Sequence, residues 1–201
     1  MKSLVTAVLL LTPSAMFAHR LDEYLQATMI SIGKDQLHAE MTLTPGVAVF
    51  PKLAAEIADQ GAYAERVLRD LTLRIDGQPL TPQLVSIQFP NVDEMKEGLG
   101  GIRIKFEANL PGGAGRHNLV FENHHESDIG AYLVNCLVPG DPDLQITKQT
   151  RNYSQSRYEV DYTEAGGPSV LLWLGAAALI LGVRFAVRRK IAEPTGAAAR
   201  N

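Results

Sequence analysis

An apolar run near the C-terminus constrains this chain more than any other feature of its sequence. Val170–Val183 contains fourteen residues without a polar or charged side chain, and Arg184 follows directly. Between His19 and Gly167 there are 13 Lys/Arg and 21 Asp/Glu, a net charge of −8. From Arg184 onward, 5 basic residues and one Glu give +4. This split predicts a membrane protein with an acidic domain outside and a short basic tail inside.

The run is long enough to cross a bilayer as one helix. Pro168–Val187 is 20 residues, about 30 Å at 1.5 Å per residue and close to one hydrocarbon thickness. Trp173 near its outer end suits the headgroup interface, and Arg184 can reach the inner headgroups. We therefore expect a transmembrane helix over residues 169–187 and a cytoplasmic tail over 188–201. A buried helix of a soluble protein is the alternative.

The N-terminus has the pattern of a secretory signal peptide. Lys2 supplies the charged region, Leu4–Leu11 the apolar region, and Pro13 ends the helix. Cleavage after Ala18 makes residues 1–18 the signal peptide, with an uncleaved anchor as the alternative. Together with the C-terminal span, this predicts a single-pass protein of the bacterial inner membrane, with its N-terminal domain in the periplasm and its C-terminus in the cytoplasm.

The remaining residues 19–163 predict one mainly β domain, an antiparallel, immunoglobulin-like β-sandwich. Short segments of alternating apolar and polar residues are separated by Gly, Pro and Asp turns, as in Ile102–Phe106 and at the Asp76–Gly77 dipeptide. Residues 164–168 form a linker to the span. The predicted strands are Leu21–Ile32, Gln36–Leu43, Leu71–Ile75, Gln83–Phe89, Ile102–Ala108, Asn118–Glu122, Tyr132–Val138, Leu144–Thr150 and Ser156–Tyr162.

One helical insert interrupts the β pattern at about residues 51–70. Pro51 suits a first helical turn, and apolar residues recur there at helical spacing. The tripeptide at 59–61, Asp-Gln-Gly, is a point at which the insert can divide into two short helices.

The histidines give the candidate site. If cleavage follows Ala18, the mature chain begins with His19, whose free amine and ring nitrogen can hold one ion together. A further imidazole from His124 or His125 completes a three-nitrogen site suited to Cu(II) or Ni(II). Because adjacent histidines in a strand point to opposite faces, both reach one ion only from a loop or bulge. A solvated loop is the alternative interpretation of residues 124–128.

The sequence contains none of the patterns we associate with catalysis. We find no nucleophile elbow, phosphate-binding loop, HExxH or CxxC motif, so we expect no enzymatic activity. The net charge of −8 argues against nucleic-acid binding. Cys136, the only cysteine, lies in an apolar segment and is expected to be a small core residue.

Several segments together resemble a known family. They are similar to the periplasmic N-terminal region of bacterial membrane proteins of the HupE/UreJ type, which are associated with hydrogenase and urease maturation and regarded as nickel/cobalt permeases. The resemblance covers most of residues 19–162. The segments that carry it are His19–Thr28, Leu43–Val49, Tyr63–Leu71, Met95–Gly100 and Tyr132–Pro139.

Two departures from the family limit what the resemblance implies. The longer relatives continue into a multi-span transporter, whereas one span follows here, so we do not expect a permease. Many relatives carry an Asp-rich, EF-hand-like loop where this chain has Phe50–Ala62, in which only Glu56 and Asp59 are acidic. We therefore expect no Ca²⁺ site there. Two hypotheses remain: a membrane-anchored periplasmic binding or accessory domain that handles Cu or Ni, and a structural ectodomain that docks a partner membrane protein.

Overall fold

A computed structural model describes residues 22–166, residues 179–181 and residue 184. The predicted signal peptide and His19 lie outside the described residues, as do most of the predicted transmembrane helix and all of the predicted tail. No helix among the described residues is long and apolar enough to span a bilayer. The membrane anchor therefore stays a prediction.

The described residues form a mainly β fold of two five-stranded sheets, which confirms the predicted β-sandwich class. The first sheet, sheet A, has the order β5-β6-β2-β1-β8 and is antiparallel except for the parallel pair β1–β8. Its strands are β1 (Tyr24–Ile32), β2 (Gln36–Pro45), β5 (Gln83–Gln88), β6 (Ile102–Asn109) and β8 (Gly130–Cys136).

The second sheet, sheet B, has the order β4-β3-β7-β10-β9 and is antiparallel throughout. Asp76, with φ of +50°, and Gly77 form the predicted tight turn between β3 and β4. The strands of sheet B are β3 (Leu71–Ile75), β4 (Gln78–Leu80), β7 (Gly115–Asn123), β9 (Leu144–Arg151) and β10 (Arg157–Glu164).

The helices divide the insert as the sequence suggests. Helix α1 (Phe50–Leu53) and helix α2 (Gln60–Arg69) are separated by turns, and the Asp59 side chain caps α2 by accepting from the Ala62 N–H at 3.1 Å. Helix α3 (Val92–Lys96), which the strand pattern did not predict, begins after the Asn91 cap.

The helices and their loops lie at one end of the sandwich, which we call the helical end. The registers place the start of β1 beside the end of β2 and the start of β8. They also place the start of β3 beside the end of β7, and the start of β10 beside the end of β9. The helical end consists of residues 46–70, 89–101, 124–129 and 152–156. Tight turns such as Asp76–Gly77 occupy the opposite end.

The core follows from the alternation along the strands. Ile102, Ile104 and Phe106 of β6 are buried, whereas Arg103 and Lys105 between them are exposed. Helix α2 turns one face inward through the buried residues Tyr63, Ala64, Val67 and Leu68. Contacts within the chain divide it after Glu164, and every strand pairing lies between Tyr24 and Glu164.

Arg151 of the edge strand β9 forms hydrogen bonds to the edge strand β8 of the other sheet. Its Nε donates to the Val134 carbonyl at 2.8 Å, and the same guanidinium contacts the Asn135 side chain. The group also lies 4.6 Å from the centre of the Tyr158 ring. A charged side chain over a strand edge hinders pairing with another strand.

Candidate functional site

A buried histidine–carboxylate pair lies at the helical end. His125 lies two residues beyond Asn123, the last residue of β7, and its side chain is 0% exposed. Asp70 follows α2 and precedes β3, and the β3–β7 register, continued by one pair, brings it opposite His124, the neighbour of His125. The His125 Nδ1 lies 2.8 Å from the Asp70 Oδ2, and the Asp70 carbonyl accepts from the His124 N–H at 3.1 Å.

The pairing with Asp70 determines which ring nitrogen is free. An ionised carboxylate can only accept a hydrogen bond, so the proton must be on Nδ1 of His125. In the neutral ring, Nε2 then carries a lone pair. This atom is buried and has no hydrogen-bond partner among the described residues. An unsatisfied polar atom of this kind costs about 1–3 kcal/mol, so its presence requires an explanation.

Two tyrosines pack edge-on against this imidazole. The ring centres of Tyr24 and Tyr63 lie 6.0 Å and 5.8 Å from that of His125. Their hydroxyl groups form a hydrogen bond with each other. Burial raises the pKa of Tyr24 well above its usual value and also raises the pKa of Tyr63, so both phenols stay protonated.

Side chains from three strands fix the backbone of His125. Its carbonyl accepts from Gln26 Nε2 at 2.8 Å and from the Tyr132 hydroxyl at 2.9 Å. Its N–H donates to Asn123 Oδ1 at 2.9 Å, and Asn123 Nδ2 donates to Gln26 Oε1 at 2.8 Å. Gln26 and Asn123 are almost fully buried. The network holds the imidazole in one position between the two sheets.

Glycine at position 130 is required by this network. A Cβ added to Gly130 would lie 2.6 Å from the Tyr132 hydroxyl, which is closer than real side-chain atoms approach. That hydroxyl is the one that donates to the His125 carbonyl. Any larger residue at 130 must therefore displace a group that positions His125.

An ion pair lies on the outer side of Tyr63. The Arg66 guanidinium is 5.6 Å from the centre of the Tyr63 ring and 2.6 Å from the Glu56 carboxylate. The Arg66–Glu56 contact lacks the angles of a hydrogen bond, so we describe it as an ion pair. It links α2 to the turns that precede it.

The residues predicted for the metal site have different surroundings. His125 is buried, whereas the His124 side chain is 62% exposed, with Nε2 3.5 Å from the Glu122 carboxylate. His19 lies outside the described residues. Its segment leads into β1 at the same end as His125, since Tyr24 donates its N–H to the Ile129 carbonyl at 2.8 Å. The described residues contain no group of three or more His, Cys, Asp or Glu side chains suited to a metal ion.

The remaining histidines lie away from this end. His38 is on the outer face of sheet A, 3.7 Å from Glu107. His117 Nδ1 is 2.8 Å from the Asp76 carboxylate, and its Nε2 is 2.7 Å from the Gly113 carbonyl. Because both nitrogens face acceptors, the protonated ring fits best, and the hydrogen bond to Asp76 raises the pKa of His117.

Sequence reasoning missed the residues that contact His125, among them Asp70, Tyr24, Tyr63 and Gln26. All four reach His125 through contacts between distant parts of the chain, so no local spacing marks them. Cys136 is half-buried, and burial raises its pKa to about 11, as befits an unreactive thiol.

Comparison of this chain with family models, curated proteins and solved structures gave no match.

Proposed function

We propose that this chain is a membrane-anchored periplasmic binding domain that holds a transition-metal ion, Cu(II) or Ni(II), through His125 and the histidine at the start of the mature chain. The observation that carries the proposal is the buried Nε2 atom of His125, which has no partner among the described residues. A nitrogen lone pair that is shielded from water and accepts no hydrogen bond is available to coordinate a metal ion.

The Asp70–His125 pair supports a ligand role for the imidazole. Histidines that bind metals commonly donate their other ring N–H to a carboxylate, which fixes the tautomer and raises the basicity of the ligating nitrogen. Asp70 stands in this relation to Nδ1 at 2.8 Å. The fully buried surroundings and the two protonated tyrosines then limit the approach of water to Nε2.

The position of β1 supports the participation of His19. The Tyr24 ring lies next to that of His125, and His19 stands five positions before Tyr24 in the sequence. Five positions of extended chain reach at most about 17 Å, compared with 6.0 Å between the ring centres of Tyr24 and His125. An amine and two imidazole nitrogens would form the nitrogen-rich set that suits Cu(II) or Ni(II).

The domain is proposed to bind the metal ion without catalysing a reaction. The phenols of Tyr24 and Tyr63 are held protonated and bonded to each other, which leaves them unsuited to act as bases. The predicted span, residues 169–187, would keep the domain at the membrane. The HupE/UreJ resemblance adds an association with nickel and cobalt handling.

Calorimetric titration of the processed full-length chain with Cu(II), Ni(II) and Zn(II) tests the proposal. We expect binding of Cu(II) or Ni(II) at one site, lost in His125→Gln and kept in the matched control His124→Gln. Circular dichroism checks that each variant is folded. Absence of heat with every ion, or equal binding by both variants, would rule out this metal site.

A second candidate function is an ectodomain that docks a partner membrane protein without a metal. It is favoured by large apolar side chains that are exposed at the helical end, including Val92, Leu99 and Tyr153. Site-specific photo-crosslinking from Leu99 and Tyr153 in intact membranes tests it. A single adduct with a membrane protein, formed in the same yield by the wild-type chain and by His125→Gln, would favour this function over the first.

A further inference from the structure

Sheet A leaves one face open, and the part of this face formed by β1 and β8 is apolar. The β1–β8 register places Leu25 beside Ala131 and Ala27 beside Leu133 on the same side of the sheet. Met29 continues this row and is 41% exposed, and Leu133 is 45% exposed. Side chains that repeat every second residue on neighbouring strands form one continuous strip.

The strip forms part of a groove of about 700 Å³. At one margin a bulge in β5, between Leu84 and Ser86, adds Val85, which is 55% exposed. At the other margin lies Leu137, 49% exposed, just beyond the end of β8. The volume lies within the range of about 300–1,000 Å³ that is typical of small-molecule sites.

The carboxylate and the ammonium group that line the groove form an ion pair. Glu40 of β2 and Lys105 of β6 face each other across the strands with 3.4 Å between Oε2 and Nζ. His38 lies 3.7 Å from Glu107 one pair further along. A charged ligand would have to compete with these pairs, whereas an uncharged one would not.

The size of the face argues against a second copy of the chain as its occupant. Five strands about 4.8 Å apart and about seven residues long cover roughly 24 Å by 23 Å, or about 550 Å². Stable protein interfaces bury about 800 Å² on each partner. The Arg151 side chain over the edge of β8 also hinders extension of sheet A by another strand.

We infer that the open face of sheet A is a binding site for an uncharged, elongated apolar molecule of the acyl-chain class. The apolar strip of β1 and β8 forms one wall with Leu137, and Val85 forms the other. The Glu40–Lys105 pair and Thr42 of β2 give the groove polar groups without net charge. This site is separate from the His125 site and does not depend on the metal proposal.

Photolabelling of the full-length chain in lipid nanodiscs with a diazirine derivative of hexadecanol tests this inference. We expect mass spectrometry to find adducts within residues 25–42 and 131–137, and an excess of unlabelled hexadecanol to suppress them. Leu133→Asp and Met29→Asp should each reduce this labelling at least fivefold. The matched control Val138→Asp, at a position 90% exposed and outside the groove lining, should leave it unchanged.

Three results would overturn the inference. The first is that the domain is not labelled, or that its labelling is the same in the wild-type chain and in both groove variants. The second is a strong preference of the groove for hexadecanoate over hexadecanol, since the site would then be built for an anion. The third is a stable dimer in sedimentation that Leu133→Asp dissociates, because the face would then be a contact between two copies.

Discussion

The Asp70 carboxylate lies 2.8 Å from Nδ1 of the fully buried His125 and leaves the opposite nitrogen of that ring without a partner. The contact joins the end of α2 to the end of β7, two segments that are 55 residues apart in sequence. It fixes one tautomer of the imidazole. The metal proposal depends on this relationship more than on the number of histidines in the chain.

Asp70→Asn tests the positioning role of the carboxylate. The amide is nearly the same size, but it no longer stabilises positive charge on the imidazole or specifies the proton on Nδ1. Loss of such a partner lowers metal affinity by about 10–100-fold. We expect that loss in a Cu(II) or Ni(II) titration, with the secondary structure retained. Asp128→Asn, a change in the neighbouring loop, serves as the control and should leave the affinity unchanged.

The Tyr24–Tyr63 hydrogen bond gives a prediction about stability. Tyr24→Phe leaves the Tyr63 hydroxyl buried without its partner, which should reduce the free energy of unfolding by about 1–3 kcal/mol. Tyr24→Phe combined with Tyr63→Phe removes both polar groups and should cost less than the sum of the single changes. Urea denaturation of the three variants measures this coupling. Additive effects would show that the two hydroxyls do not depend on each other.

Gly130→Ala should disturb the site without replacing any polar side chain. The added Cβ collides with the Tyr132 hydroxyl and so breaks its bond to the His125 carbonyl. We expect a loss of about 1–3 kcal/mol in the free energy of unfolding. Gly140→Ala is the matched control, because a Cβ there meets nothing within 4 Å. Equal stability of the two variants would contradict the observed contact.

The Asp76–His117 pair predicts how stability depends on pH. Hydrogen bonding to Asp76 raises the pKa of His117 above its ordinary value of about 6.5. Burial alone would raise the pKa of Asp76, but the hydrogen bonds from His117 and the Asn118 N–H outweigh it and lower the value. The contribution of His117 to stability is therefore complete below about pH 6.5 and is lost as the pH rises through the pKa of His117 in the folded state. The contribution of Asp76 to stability is lost as the pH falls through the lowered pKa of Asp76 in the folded state.

Urea denaturation at pH 5, 7 and 9 measures this dependence. We expect the His117 contribution, about 0.5–1.5 kcal/mol for a partly exposed charged hydrogen bond, to be present at pH 5 and reduced at pH 9. His117→Gln should remove that part of the pH dependence, while His38→Gln, at an exposed position, should not. An unchanged pH profile in His117→Gln would mean that the pair contributes nothing.

The sequence predicts the elements of this fold well because most of them are marked locally. Alternation along β6, the Asp76–Gly77 turn and the Asp59 cap of α2 each depend on neighbouring residues. Strand β4, only three residues long and containing Pro79, has no such pattern. The parallel pairing of β1 with β8 joins segments about 100 residues apart, and no local feature specifies it.

The candidate site was predictable only in outline. The sequence identifies His124 and His125 as candidate ligands, but it does not predict which of the two is buried. The difference follows from tertiary packing, because the β3–β7 register brings Asp70 opposite His124 and the Asp70 carboxylate then contacts the ring of His125. Cross-strand partners of this kind depend on the packing of the whole sandwich.

The central claim is that His125 and the first residue of the mature chain bind one metal ion together. Calorimetry with Cu(II) on a chain that begins at His19, compared with one that begins at Ala18, tests it most directly. The extra alanine removes the amine from His19 but leaves every core contact intact. We predict tight one-site binding to the first chain and at least a hundredfold weaker binding to the second. Equal affinity of the two chains would contradict the claim.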